Sequence, residues 1–177
     1  LKWPRTVYAQ LVEKLCELGA GVIVFDIHFL DEKNKEEDFL FAAHVEKAGR
    51  VILIEQIKRL ADPGGSSGHQ NSLDVDILVS PYPQLADSAL ALAPFPVPKF
   101  PVRVNQCWIF KPSAGDIPTL PAVALQAAAI EQYDTLNRII RSLRPDAAIH
   151  LPSTAEKLVS ARGRLVVDVN HVLDIGG

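Results

Sequence analysis

The densest group of side chains able to do chemistry is Asp26-Ile27-His28-Phe29-Leu30-Asp31, directly after the apolar run Val22-Ile23-Val24-Phe25. In extended chain, residues two apart lie on one face, which puts the Asp26 carboxylate beside the His28 imidazole. Such a pair can ligate a metal, hold a polar ligand, or act as an acid/base couple. The carboxyl ends of strands in open α/β sheets open into crevices where small molecules bind. Asp26, His28 and Asp31 are therefore the candidate ligand-binding residues, with Arg5 expected nearby. If the site senses pH or an anion, His28 is its natural switch, because a reference pKa of about 6.5 lets modest surroundings move its charge. The same residues can also serve structure alone, Asp26 by accepting hydrogen bonds from loop amides and His28 as a satisfied strand-end residue. A metal would need a further ligand, and the spacing ties neither His44 nor His150 to this place, so no metal and no cofactor is assigned.

Trp3-Pro4-Arg5 can present an indole and a guanidinium to a ligand, or pack an indole over a helix start. Asp116, between Gly115 and Ile117-Pro118, reads as a turn residue. Trp108 and Tyr133 read as packing. The sequence contains no Walker loop, dinucleotide fingerprint, nucleophile elbow or Cys/His metal quartet. Gly64-Gly65-Ser66-Ser67-Gly68 follows no strand that enters a helix, and Ser153-Thr154-Ala155-Glu156 is best taken as a helix cap. Cys16 and Cys107 cannot define a disulfide framework and are expected to be buried thiols. Catalysis has little positive support, and the chain is not expected to be an enzyme.

The elements that must position these residues follow from periodicity. Val7, Tyr8, Leu11, Val12, Leu15 and Leu18 recur at helical steps after Pro4, which predicts an amphipathic helix over Thr6–Leu18, stopped by Gly19. The continuous β-branched run Val22–Ile27 predicts a strand covered on both faces. A charged loop over Asp31–Lys35 leads to a second helix through Leu40, Ala43, His44 and Ala48, ended by Gly49 and followed by a strand over Val51–Glu55. This repeated helix, glycine, strand order predicts adjacent strands with helices packed on them: a single α/β domain with a central mixed or largely parallel sheet and helices on its faces. Further on, Ala61–Ser72 reads as an exposed loop, Gln84–Leu92 as a short helix, and Val102–Phe110 as a strand. Helices are expected from Pro121 through Ala129 and from Thr135 through Leu143, and a last strand at Leu165–Val169 after a turn at Arg162-Gly163.

Bulk properties narrow the classes. The 177 residues are 48% hydrophobic and 22% charged, which suits one globular domain and not a disordered segment. A formal charge of −3 without a Lys/Arg cluster leaves no footprint for a phosphate backbone, so nucleic acid is not an expected partner. No apolar run reaches the ~18–20 residues that cross a bilayer.

Trp3-Pro4-Arg5, then Gly19-Ala20, then Val24-Phe25-Asp26-Ile27-His28-Phe29 form an ordered set that resembles the second CHASE family, sensory domains of bacterial transmembrane receptors. Glu36-Glu37-Asp38 before Phe39, Lys47-Ala48-Gly49-Arg50-Val51-Ile52-Leu53, and Ile117-Pro118-Thr119-Leu120-Pro121 are similar to the continuation of that pattern. Val104-Asn105-Gln106-Cys107-Trp108 departs from it, where the family commonly shows an Asp-Gly turn followed by Arg-Arg. The resemblance implies an extracytoplasmic, periplasmic or extracellular, ligand-sensing input domain spanning residues 1–177 and lacking a first strand that the family places before Trp-Pro-Arg. It implies adjoining transmembrane helices and a cytoplasmic output domain in the same chain: a nucleotide cyclase, histidine kinase, Ser/Thr kinase or diguanylate cyclase. The expected partners are an unknown small-molecule ligand and a second copy in a homodimer. The alternatives are a small metal-assisted α/β hydrolase using Asp26, His28 and Asp31, and a dimerisation module without a ligand.

Overall fold

The structure, a computed structural model, describes residues 3–60, 75–97, 109–114 and 117–143. Helix α1 (Arg5–Glu17) leads through Gly19 into strand β1 (Ile23–Phe25). Helix α2 (Lys35–Ala48) then leads through Gly49 into strand β2 (Val51–Leu60). Both glycines have left-handed backbone, φ 83° at Gly19 and 60° at Gly49, which is why each helix stops where it does. The start of α2 is equally well determined, since the Asn34 side chain accepts from the Glu36 and Glu37 amides at 3.0 and 3.2 Å. Glu36, Glu37 and Asp38 fill its first turn, where negative charge suits the helix dipole.

β2 is the centre of the sheet. Along its first half it has β1 as a parallel neighbour on one side, Val24 opposite Ile52. On the other side lies β4 (Ala91–Pro94), also parallel, with Ala91 opposite Ile52. Along its second half β2 pairs antiparallel with β3 (Val75–Val79). The sheet is therefore mixed. Side chains of β2 alternate between two cores, as the period of a strand requires. Val51 and Leu53 join Val12, Phe25, Phe29, Phe41, Val45 and Leu85 under α1, α2 and α3 (Pro83–Ser88). Ile52 and Ile54 join Ala91, Ala93, Leu120 and Val123 under α4 (Leu120–Ala129) on the opposite face. A fully buried side chain of this size contributes roughly 1.5–3 kcal/mol. A small hairpin of β5 (Phe110–Lys111) and β6 (Ile117–Pro118) precedes α4, and α5 (Tyr133–Leu143) follows it.

Several expectations change in detail. β1 ends at Phe25 and not at Ile27. The helix expected over Gln84–Leu92 is the shorter α3, and its last two residues, Ala91 and Leu92, begin strand β4, paired on β2 where alanines fit beside large neighbours. β3 and the extension of β2 to Leu60 had no counterpart in the sequence reading. The loop over Ala61–Ser72, most of the Val102–Phe110 strand, Cys107, Trp108, Asp116, His150, Ser153–Glu156 and the last strand lie outside the described residues.

Candidate functional site

The loop between β1 and α2 is held from behind by one buried ion pair. Arg5, the first residue of α1, directs Nε to Asp38 Oδ1 at 3.0 Å, with side chains only 7% and 2% exposed. The same guanidinium donates from Nη2 to the Asp31 carbonyl at 3.0 Å, and lies 4.6 Å from the Phe29 ring centroid and 5.6 Å from that of Tyr82. Asp38 uses its other oxygen to accept the Lys33 amide at 2.6 Å. The Arg5 amide, an orphan of the first helical turn, donates to Glu37 Oε2 at 3.0 Å. Tyr82 closes the back by donating to the Asp38 carbonyl at 3.4 Å. Burial first, and then the neighbouring Asp38 carboxylate, push its phenol above the usual tyrosine range. Both ends of the Asp31–Lys33 turn are thus pinned by the same Arg5–Asp38 pair.

The floor beneath this loop is aromatic. Tyr8 packs edge-on to Phe25 and Phe29, with centroids 6.0 and 5.3 Å apart, and both of those rings meet Phe41. Trp3 lies against Tyr8 at 5.9 Å and 40°, yet stays 50% exposed. These rings prefer edge-to-face and offset contact, and the interlocked set makes a stiff wall. In front of it opens a crevice of about 320 Å³, lined by Trp3, Tyr8, His28, Asp31 and Lys33, with Arg5 at its back. That volume is at the lower end of the ~300–1,000 Å³ typical of small-molecule pockets.

Of the residues singled out from sequence, the crevice brings together Arg5, His28 and Asp31 and leaves Asp26 outside its lining. Asp26 follows the last residue of β1 and is exposed, so it does not share a strand face with His28. Arg5 is close by, as expected, but its charge is committed to Asp38 and it is 6% exposed. Among the described residues the side chains of Asp26, His28, Asp31 and Lys33 have no hydrogen bond or ion pair. The amides expected to satisfy Asp26 do not reach it. Sequence reasoning missed Asp38, Lys33 and Tyr8. Asp38, buried on α2, had no local signal, since it reads as one more acid of the helix start. Lys33 and Tyr8 had none beyond proximity.

A second polar cluster centres on β3. Asp76 on β3 is 4% exposed at its side chain and takes Ser113 Oγ at 2.6 Å, Lys111 Nζ at 3.2 Å and, farther off, Arg59 Nε at 3.6 Å. The Ser113 hydroxyl above all, then Lys111 and Arg59, hold its carboxyl below the usual range against the opposing effect of burial. The cluster ties β2 and β3 to the β5 hairpin.

Helices pack on both faces of the sheet, and the crevice lies at the carboxyl end of β1 with the exposed side chains of His28, Asp31 and Lys33 in its lining. The chain belongs to the CHASE2 domain family, whose model matches residues 1–162. CHASE2 domains are extracellular sensory domains of signalling receptors. No curated protein and no solved structure matches the chain. No helix among the described residues is long and apolar enough to cross a membrane.

Proposed function

We propose that the chain is the extracytoplasmic input domain of a bacterial transmembrane receptor, and that a small molecule seated in the crevice beside β1 is its signal. The observation that carries this reading is the contrast within one loop. Its backbone is locked by the Arg5–Asp38 pair at Asp31 and Lys33, while the His28, Asp31 and Lys33 side chains stay unpartnered at the mouth of a crevice. A loop built only to connect two elements has no need of a fixed backbone under free polar tips, whereas a recognition loop gains affinity from that preorganisation. Binding there would shift a conformational equilibrium that adjoining helices pass to a cytoplasmic cyclase or kinase. Two copies acting as a symmetric pair suit such relay, since twofold pairs are the commonest soluble assembly.

The metal-assisted hydrolase alternative finds no support among the described residues, where no three His, Cys, Asp or Glu side chains are grouped to hold a metal. The test is a thermal-shift screen of metabolites on wild type, His28→Ala and Asp31→Asn, with sedimentation of the chain at high concentration. The reading expects a ligand that stabilises wild type, a response lost or weakened in both variants, and weak self-association. A response that both variants retain in full would contradict the site.

A further inference from the structure

The lining of the crevice specifies the kind of molecule it takes. Three features act together. Residues of both charges line the space: Asp31 carries a carboxylate and Lys33 an ammonium, neither with a partner among the described residues. The third charge at the site, Arg5, is cancelled by Asp38 behind it. An ion of a single sign entering the crevice would gain one of these charges and meet the other, whereas a neutral molecule with separated charges matches both. Trp3 also lines the space, held against Tyr8 at 5.9 Å but half exposed, and an exposed indole face attracts a cation, most strongly one that is weakly hydrated.

We propose that the crevice binds a small zwitterion of the amino-acid or betaine kind, its ammonium between the Trp3 face and Asp31 and its carboxylate toward Lys33. This deepens the sensory reading of the same crevice and rests on it. The backbone that carries both charges is anchored: the Asp31 carbonyl and the Lys33 amide are both tied to the Arg5–Asp38 pair, so the two side chains leave a fixed frame two residues apart. A volume of about 320 Å³ limits the ligand to a compact one. His28, also at the rim and unpartnered, can donate a further hydrogen bond to the carboxylate.

The test is titration calorimetry of the whole chain with a matched set of probes. Glycine betaine and L-valine are zwitterions with a quaternary and a primary ammonium, and which of them binds tells the two sources apart. Choline keeps the cation and lacks the carboxylate. The tert-butylacetate ion has the shape of betaine with carbon in place of the charged nitrogen. The expected result is that a zwitterion binds at least about tenfold more tightly than choline and tert-butylacetate. Asp31→Asn and Trp3→Leu then weaken zwitterion and choline binding, and Lys33→Gln weakens zwitterion binding alone of those two. Each of these side chains is exposed, and the unfolding transition of every variant, with Trp3→Phe as the milder change, confirms that it folds.

Either half-probe binding as tightly as the zwitterions, or no zwitterion binding at all, would overturn the ligand class. The crevice reading fails separately. If a ligand from the metabolite screen loses its effect in His28→Ala, the crevice stands and only the zwitterion is wrong. If zwitterion binding survives all three substitutions unchanged, the zwitterion binds elsewhere and the crevice is not its site.

Discussion

Breaking the Arg5–Asp38 pair from one side should be among the most damaging single changes in the domain. Asp38→Ala leaves a guanidinium 7% exposed with its counter-ion gone, and Arg5→Ala leaves a carboxylate 2% exposed with only the Lys33 amide at 2.6 Å. Removing one member of such a pair costs about 3–5 kcal/mol, because a desolvated charge is left behind. That is a large part of the ~5–15 kcal/mol that holds a domain folded. Arg5→Lys should also be destabilising, since one ammonium cannot reach Asp38 and the Asp31 carbonyl in the fork geometry of a guanidinium. Replacing both charges, as in Arg5→Met with Asp38→Leu, should cost less than the sum of the two single losses by about 1–3 kcal/mol, since neither variant side chain strands a charge. Urea unfolding followed by circular dichroism gives each value, provided the slope with denaturant stays constant. The reasoning is refuted if a single change costs less than the ~1 kcal/mol of an exposed pair, or if the two losses simply add.

Other outcomes follow from the same geometry. Asn34→Ala should lower stability by about 1 kcal/mol through the lost cap on α2, measured by the shift in urea midpoint. Gly49→Ala should cost about 1–2 kcal/mol, because φ is 60° there while a Cβ meets nothing closer than 4.0 Å, so the penalty is conformational and not steric. Leu53→Ala, at a site fully buried in the core, should cost about 2–5 kcal/mol in the same assay. Asp76 has a lowered folded pKa, so its contribution is fully present above the unfolded value of about 3.9 and disappears as pH falls through the lower folded value. Asp76→Asn should therefore be less stable at neutral pH and lose less stability than wild type on acidification below about pH 4, read by thermal unfolding across that range.

The parts of the fold legible in the sequence were those written in local periodicity. The steps of Val7, Tyr8, Leu11 and Val12 and the stop at Gly19 recover α1, and the β-branched runs recover β1 and the first half of β2 as parallel neighbours. The strand over Ala91–Pro94 was not legible, because Ala-Leu-Ala has helical propensity and becomes a strand only by pairing with Ile52, Leu53, Ile54 and Glu55. Within the site, the charged loop after Phe25 pointed to His28 and Asp31, and the crevice includes both. Asp38 was hidden for the opposite reason. In Glu36-Glu37-Asp38 it reads as one more acid of a helix start, and the partner that gives it a role lies 33 residues away in sequence. Arg5 likewise reads as an open guanidinium until the fold places it under Phe29 and against Asp38. Burial of a charge is a tertiary property, and no local spacing announces it.

The most direct test of the central claim is the dose–response of the signalling output in the full-length protein to a ligand that binds this domain, compared between wild type, Asp31→Asn and Trp3→Leu. If the crevice is the sensing site, substitutions that raise the dissociation constant of the isolated chain move the half-maximal dose to higher ligand concentration. An output curve that stays in place while the dissociation constant shifts would show that the receptor takes its signal elsewhere.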